Sequence, residues 1–353
     1  MSIQPSYGPQ PQIIVYTQTF GSRLWSWIGW LGFIIMGVVC VLLLVTVGDY
    51  FDTTGGIEEK FVSGDKSSDD KIAIITVSGT IFESEGYVKH QIDKVRADKH
   101  VKAIVLRVDS PGGTVSGSDY IFHHLKKLRD DKSLPLVVSM GSMAASGGYY
   151  VSMAVGKTPD TIFAEPTCTT GSIGVMIPHY DISKLLARLD IKDDSLATHP
   201  RKLMLSMTKE MTPEERELIQ EHINDMFLRF KSIVKEGRPH FAANPDELDK
   251  LATGEIFTAD KALENKLIDK IGFQEDAIDR ALELASLTKD KTKIVKFKKP
   301  VSISDSFLFG RAPAGGGNAS AASELAALLD FSTPRAWFLC TSLPALVTGR
   351  TSE

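Results

Sequence analysis

Residues 101–113, Val101-Lys-Ala-Ile-Val-Leu-Arg-Val-Asp-Ser-Pro-Gly-Gly113, decide the fold class of this chain. The run rich in Val, Ile and Leu predicts a buried strand, and the Pro-Gly-Gly sequence after it predicts a tight turn. A helical pattern follows over residues 116–130, with Ile121, Leu125 and Leu128 on one face. Strand, turn and helix in this order are typical of an α/β domain with parallel strand pairing.

The neighbouring sequence extends the same α/β pattern. Short apolar runs at Ile72–Val77 and Leu136–Ser139 predict two more strands. A long helix is predicted to begin at Thr212, which fits the N-cap, with Glu215 in the reciprocal capping-box position. Its apolar stripe is expected to lie in the core or at a subunit contact. Residues 71–298 are therefore predicted to form one folded domain.

The rest of the chain divides by composition. Residues 1–23 form a polar tail, and residues 49–70 mix Gly, Ser, Thr and Asp and are predicted to be a linker. Residues 299–353 are predicted to be a flexible linker followed by an apolar tail, which contains residues 336–339 and is too short to span a membrane. We expect this tail to dock on the main domain, on a neighbouring subunit or on the membrane surface.

Residues 24–48 contain no charged side chain and are long enough to cross a hydrocarbon core of roughly 30 Å. Trp25, Trp27 and Trp30 crowd the start of this stretch, as is typical of aromatic side chains at a membrane interface. The sequence predicts an uncleaved, single-pass transmembrane helix in the cell membrane, and the alternative is a buried helix of a soluble core. Because Arg23 precedes the stretch, we expect the N-terminus in the cytoplasm and the folded domain outside it.

Composition excludes several kinds of partner and site. The 353 residues carry a formal net charge of −4, which gives no reason to expect nucleic acid as a partner. The three cysteines are Cys40, Cys168 and Cys340, and since Cys40 lies in the apolar stretch they allow at most one disulfide. No zinc or calcium motif is present, so neither a metal nor another cofactor is predicted.

Ser146 is the candidate nucleophile, within Ser142-Met-Ala-Ala-Ser-Gly-Gly-Tyr-Tyr150. The alanines and glycines around it leave room for a substrate carbonyl and permit a sharp turn of the backbone. Gly112 and Gly113, after a predicted strand, would offer amide groups to a developing oxyanion. The alternative interpretations are a small serine in a tight helix–sheet contact and an ordinary Pro-Gly-Gly turn.

Lys202 is the candidate base for this serine. A lysine has an ordinary pKa of about 10.4 and acts as a base only where burial favours its neutral form. Apolar residues after Lys202 would help to remove its amine from water, whereas a solvated surface lysine is the alternative. Histidines are further candidates for the base, and those in the folded region are His123, His124, His179 and His199.

Four stretches together resemble the signal peptide peptidase A family of membrane-bound Ser-Lys serine proteases, in its short, single-copy form. The stretches are Val108-Asp-Ser-Pro-Gly-Gly113, Gly141-Ser-Met-Ala-Ala-Ser-Gly-Gly-Tyr-Tyr150, Thr170-Gly-Ser-Ile-Gly-Val175 and residues 202–212. The resemblance implies a Clp protease/crotonase-like fold, an α/β spiral of β-β-α units, preceded here by the N-terminal transmembrane helix.

The resemblance also implies roles for individual residues. Ser146 would be the nucleophile, Lys202 the general base and Ser172 the residue that orients the lysine amine. Gly113 and Gly147 would supply the oxyanion amides. A substrate pocket for small or apolar side chains would be lined by Met143, Ile173 and Val175.

Resemblance to the short form of the family further implies a ring-shaped homo-oligomer, in which the lysine comes from a neighbouring subunit. Family members degrade cleaved signal peptides in or near the membrane, so peptides and membrane lipid are the expected partners. The leading hypothesis is therefore a membrane-anchored serine endopeptidase. The alternatives are a catalytically idle membrane scaffold of the same fold and an acyl-CoA enzyme of the crotonase type.

Overall fold

The structure is a computed structural model that describes residues 27, 29–37, 40, 56–82, 86–298 and 336–339. The chain divides into two compact units at Thr53/Thr54. In the N-terminal unit residues 29–37 are helical (α1), and so are Trp27 and Cys40. None of the helices in these described ranges is long and apolar enough to cross a membrane. The predicted polar tail, most of the predicted span and most of residues 299–353 lie outside the described residues.

The second unit alternates strands and helices along the chain. The strands are β1 Glu58–Gly64, β2 Lys71–Ser78, β3 Val101–Ser110, β4 Gly112–Thr114, β5 Leu136–Ala145, β6 Ile162–Ala164, β7 Thr169–Gly171, β8 Ile256–Thr258, β9 Lys270–Ile271, β10 Lys293–Lys298 and β11 Trp337–Leu339. The helices are α2 Tyr87–Ala97, α3 Val115–Lys132, α4 Gly147–Ser152, α5 Ser183–Arg188, α6 Pro213–Gly237, α7 Pro239–Ala243, α8 Pro245–Leu251, α9 Ala259–Glu264 and α10 Gln274–Leu284.

A largely parallel sheet forms the centre of this unit, with the strand order β1-β10-β2-β3-β5-β6-β9. β1 runs antiparallel to β10, and every other neighbouring pair along this order is parallel. The short strand β7 pairs in parallel with the C-terminal end of β5, and β8 pairs with β7 in antiparallel orientation. A separate two-stranded sheet joins β4 to β11 in antiparallel pairing. The predicted α/β class with parallel pairing is confirmed.

Alternating side chains of the central strands build two cores, one on each face of the sheet. On β2, Ile72 and Ile74 face the core that contains α10, whereas Ala73 and Ile75 face the core that contains α2, α3 and α4. β2 and β3 are buried on both faces, which is why their sequences are almost continuously apolar. Because β3, β5 and β7 pair in parallel, their carboxyl ends meet at one edge of the sheet. This edge is the usual position of a functional site in such a sheet.

The predicted elements agree with the structure where the hydrophobic pattern is strong. The predicted strands lie within β2, β3 and β5, and α6 begins with the predicted capping box between Thr212 and Glu215. The apolar stripe of α6 is buried only towards its C-terminal end, at Phe230, Ile233 and Val234.

Part of the predicted linker, residues 49–70, is instead strand β1. Its side chains are mostly exposed, so its sequence shows no buried apolar run. The strand exists because its backbone pairs with β10, from Glu58 opposite Lys298 to Gly64 opposite Lys293. Such pairing over a long sequence separation leaves little trace in the local pattern.

Candidate active site

Ser146 lies directly after β5 and is the N-cap residue of α4. Its side chain is buried, with 1% of the residue exposed. The backbone has φ 54° and ψ −112°, a conformation that costs a non-glycine residue free energy and that is concentrated at functional sites. The Ser146 amide donates to the carbonyl of Gly171 at 2.8 Å, which holds the turn against β7. The structure thus presents Ser146 on a sharp, fixed strand-to-helix turn.

Ser172 directly follows strand β7 and lies beside Ser146. β5 and β7 are parallel, with Ala145 opposite Gly171, so the two serines occupy the next position on each strand. Ser172 is also buried and also has a positive φ, 52°. Its amide donates to the carbonyl of Glu255 at 2.7 Å. The pairing register therefore brings together two residues that the sequence separates by 26 positions.

Gly147 packs closely against the Pro-Gly-Gly turn. A Cβ added at Gly147 would overlap the Ser118 hydroxyl and lie 3.1 Å from both the Gly112 Cα and the Gly113 nitrogen. The Ser118 hydroxyl is itself fixed, because it donates to the carbonyl of Thr114 at 2.9 Å. Only glycine permits this approach. As a result, the amides of Gly113 and Gly147 lie beside each other next to Ser146.

Asp109 positions the chain that leads into the serine turn. Its carboxylate accepts hydrogen bonds from the Ser142 hydroxyl at 2.7 Å and from the Met143 amide at 3.1 Å. These bonds tie the end of β3 to the last part of β5. Asp109 was not among the residues predicted from the sequence, although its place directly after a predicted strand was a usable signal.

The apolar tail segment docks on the main domain, one of the three places expected for it. β11 pairs with β4, and the register sets Phe338 opposite Gly113 and Leu339 opposite Gly112. On its other side, Trp337 exchanges hydrogen bonds with Met176, at 2.8 and 3.1 Å. The segment thus runs between two backbone partners, directly beside the Gly-Gly turn.

Lys202 is exposed, whereas Ser146 is buried. The lysine lies on a short 3-10 helix, Pro200–Leu203. No hydrogen bond or ion pair joins its amine to Ser146 in the described part of the chain. The stretch around it, residues 180–202, is mostly exposed and carries uncovered large apolar side chains, namely Tyr180, Leu185, Leu189, Ile191 and Leu196.

The residues proposed for the substrate pocket occupy different environments. Ile173 is fully buried in the core, whereas Met143 and Val175 are half-buried near the ends of β5 and β7. Two aromatic residues that were not predicted to belong to the site, Tyr150 and Phe230, contact the ring of Phe338. Tyr150 was within the quoted serine motif, four residues after Ser146, which is one helical turn.

The histidine alternatives gain no support from the geometry. His123 and His124 lie on α3, where their rings contact each other, and His199 is exposed. His179 contacts the carbonyl of Ser206 at 3.2 Å. Among the hydrogen bonds of the described residues, none joins one of these four histidines to the serine turn.

Cys168 is a free, buried thiol near the site. Burial, together with the nearby carboxylates of Asp109 and Glu165, raises the pKa of its thiol to about 12. A thiol with this pKa stays protonated at neutral pH and is a poor nucleophile. Ser146 is therefore the stronger nucleophile candidate at this edge of the sheet.

Comparison with protein families gives a match to peptidase family S49 over residues 128–288, a range that contains Ser146, Ser172 and Lys202. Protease 4 of Salmonella typhi is 39% identical over 225 residues, which are 61% of this chain but 35% of that protein. Serine protease SPPA, chloroplastic, of Arabidopsis thaliana is 29% identical over 259 residues, 69% of this chain and 36% of that protein.

A third relative matches over most of both chains. It is an inferred signal peptide peptidase, SppA, of Enterococcus faecium, 32% identical over 297 residues, 75% of this chain and 83% of that protein. The predicted resemblance to the signal peptide peptidase A family is confirmed. These matches show that the chain is a peptidase and belongs to peptidase family S49.

Proposed function

We propose that this peptidase is a membrane-anchored serine endopeptidase with a Ser-Lys dyad, and that it degrades cleaved signal peptides or other membrane-derived peptides. The observation that carries the proposal is the turn at Ser146. A buried serine with a left-handed backbone sits at a helix N-terminus, beside the amides of Gly113 and Gly147. Backbone amides fixed in this way are suited to stabilise an oxyanion.

In the proposed reaction, Ser146 Oγ attacks the carbonyl carbon of the scissile bond while the Lys202 amine takes the hydroxyl proton. The negative charge that develops on the carbonyl oxygen is stabilised by the amides of Gly113 and Gly147. The C–N bond then breaks, and the leaving amine takes the proton from Lys202. Water hydrolyses the acyl-enzyme with Lys202 as base again. Ser172, next to Ser146, would orient the lysine amine.

We further propose that Lys202 acts in a neighbouring subunit of a ring-shaped homo-oligomer. In one chain Lys202 is exposed, whereas a lysine base must lose water contact to become neutral. The uncovered apolar side chains of residues 180–202 support a contact between copies, because such patches mark interaction surfaces. The fold would be the Clp protease/crotonase-like spiral, with residues 24–48 as the anchor and membrane lipid as a partner.

The test uses the full chain in detergent micelles, with a signal peptide and casein as substrates. Ser146→Ala and Lys202→Ala are each expected to lower kcat by at least about 10³-fold. Lys127→Ala is the control, because Lys127 is an exposed lysine on α3, outside this segment. It should retain wild-type activity. Size-exclusion chromatography checks that every variant keeps the oligomeric state of wild type.

Each result has a distinct meaning. Cleavage that persists in Ser146→Ala would reject the serine as nucleophile. Loss of activity in Ser146→Ala but not in Lys202→Ala would show that another residue is the base. A wild-type oligomer that cuts neither substrate, and whose Ser146 does not react with a serine-directed phosphonate, would contradict the proposed function as a whole.

A further inference from the structure

Ser110 is a buried polar residue for which the proposed reaction has no role. It is the last residue of β3 and is 0% exposed. Its hydroxyl donates to the carbonyl of Gly79 at 2.6 Å and accepts from the amide of Gly112 at 3.1 Å. Gly79 follows β2 directly and is itself tied to β3, because its amide donates to the Asp109 carbonyl at 3.0 Å. The Ser110 hydroxyl therefore joins the Gly-Gly turn to the centre of the sheet.

This contact fixes the orientation of the Pro-Gly-Gly turn. The amide of Gly112 is committed to Ser110, which favours Gly113 over Gly112 as an oxyanion donor. On the other side of the turn, the Ile81 amide donates to the Gly112 carbonyl and the Thr114 amide donates to the Ile81 carbonyl, both at 2.8 Å. A buried amide without an acceptor costs free energy, so loss of the Ser110 hydroxyl would release one of these constraints.

Ser110 also contacts the two elements that flank the serine turn. In the register between β3 and β5 it lies opposite Ala144, two residues before Ser146. A Cβ added at Gly148, in the first turn of α4, would lie 2.7 Å from the Ser110 carbonyl oxygen and 3.4 Å from its Cβ. Helix α4 therefore begins directly against Ser110. One residue thus fixes the position of the Gly113 turn relative to the candidate nucleophile.

We propose that Ser110 is a positioning residue of this peptidase, and that its hydroxyl aims the Gly113 amide at the carbonyl oxygen of the bond attacked by Ser146. It acts through the Gly112 peptide group. An oxyanion donor is effective only if it is oriented before the charge develops, and a displacement of about 1 Å can cost about 10²-fold in rate. The inference rests on the proposed function, because it takes Gly113 and Gly147 as the oxyanion donors.

The first experiment measures steady-state cleavage of a fluorogenic signal peptide by the full chain in detergent micelles. Ser110→Ala is expected to lower kcat about 10²-fold with little change in KM, because the misplaced amide acts in the transition state. Ser152→Ala is the matched control. Ser152 is also a 0% exposed serine, and its hydroxyl donates to the carbonyl of Gly148 at 2.8 Å, within α4. This control should keep the kcat of wild type.

The second experiment separates a positioning role from a role in folding. A peptide aldehyde forms a tetrahedral adduct with a serine nucleophile and places an oxygen at the oxyanion donors, whereas the matching peptide alcohol forms no adduct. Ser110→Ala should raise the Ki of the aldehyde about 10²-fold, in parallel with its loss of kcat/KM, and leave the Ki of the alcohol unchanged. A variant with a lower melting temperature but wild-type kcat and Ki values would show that Ser110 is structural only.

A second substitution keeps the test valid if Ser110→Ala does not fold. A thiol is a weaker donor and acceptor than a hydroxyl, so Ser110→Cys should have a kcat below that of wild type and above that of Ser110→Ala. Wild-type kcat in Ser110→Cys, or equal weakening of the aldehyde and the alcohol in either variant, would overturn the positioning role. Wild-type cleavage that persists in Ser146→Ala would instead reject the proposed function.

Discussion

Two serines with left-handed backbones lie side by side at the candidate active site. Ser146 and Ser172 are among the few non-glycine residues with positive φ in the described ranges, and they lie side by side at the ends of β5 and β7. Strain of this kind persists only where the surrounding structure fixes it. Here the fixing contacts are the hydrogen bonds from their amides to Gly171 and Glu255. The strain is thus maintained by backbone pairing between distant segments.

Gly147→Ala tests whether close packing between Gly147 and Gly113, whose amides are the proposed oxyanion donors, matters for catalysis. The Gly147 backbone is helical, so alanine suits it locally, and any loss must come from the overlap with Ser118 and the approach to Gly113. We expect kcat to fall about 10²–10³-fold, as for loss of one oxyanion donor, with little change in KM. Steady-state kinetics measures this. Adding Ser118→Ala should recover part of the loss, and a double variant no better than Gly147→Ala would contradict the packing explanation.

Helix α6 connects the exposed segment that carries Lys202 to the core. Its C-terminal end buries Phe230 against Phe338, whereas the side chains of its first turns are mostly exposed. The start of the helix is instead fixed by polar contacts. Glu215 completes the capping box with Thr212 and pairs with Lys209 at 2.6 Å. The helix start therefore depends on the charge of one carboxylate.

The stability of this helix start should depend on pH. The hydrogen bond from Lys209, followed by that from the Thr212 amide, holds the pKa of Glu215 below its ordinary value of 4.5. A carboxyl whose folded pKa is lowered stabilises the protein above its unfolded pKa, and that contribution is lost as the pH falls through the folded value. Wild type should therefore lose more stability between pH 7 and about pH 3 than Glu215→Gln does.

Urea unfolding followed by tryptophan fluorescence, over a series of pH values, measures this difference. Glu217→Gln, an exposed glutamate on the same helix, is the control and should follow wild type. If Glu215→Gln loses stability in parallel with wild type, the carboxylate does not carry the pH dependence.

In a single chain, the candidate nucleophile and its proposed base occupy different environments. Ser146 is buried at the sheet edge, while Lys202 lies on an exposed segment with uncovered apolar side chains. Both observations are explained if the active site is completed by a second copy of the chain. In a closed ring, every subunit would then give its lysine to one neighbour and receive one from the other.

Mixing two inactive variants tests this arrangement. Ser146→Ala and Lys202→Ala chains, dissociated and reassembled together, should recover about a quarter of wild-type activity, because a random ring pairs intact serine and intact lysine at one site in four. Each variant reassembled alone is the control. If the mixture stays inactive although both chains are found in the same oligomer, the lysine acts within its own chain.

The sequence alone determined the features that depend on local pattern. The α/β class, the strands β2, β3 and β5, the start of α6 and the serine turn all follow from apolar periodicity, capping residues and small residues around Ser146. These signals are readable because the interactions behind them involve residues near in sequence or a face buried on both sides. The four motif stretches together, with the Ser146 motif among them, also indicated the family.

Only the tertiary structure decided the features that depend on pairing between distant segments. Strand β1, the juxtaposition of Ser146 with Ser172, and the docking of residues 336–339 beside Gly113 each rest on backbone hydrogen bonds between segments that are distant in the sequence. The ring contact between Tyr150 and Phe230 joins a residue of α4 to one of α6, 80 positions later. Because such contacts are set by the register of the sheet and by helix packing, local sequence patterns contain no record of them.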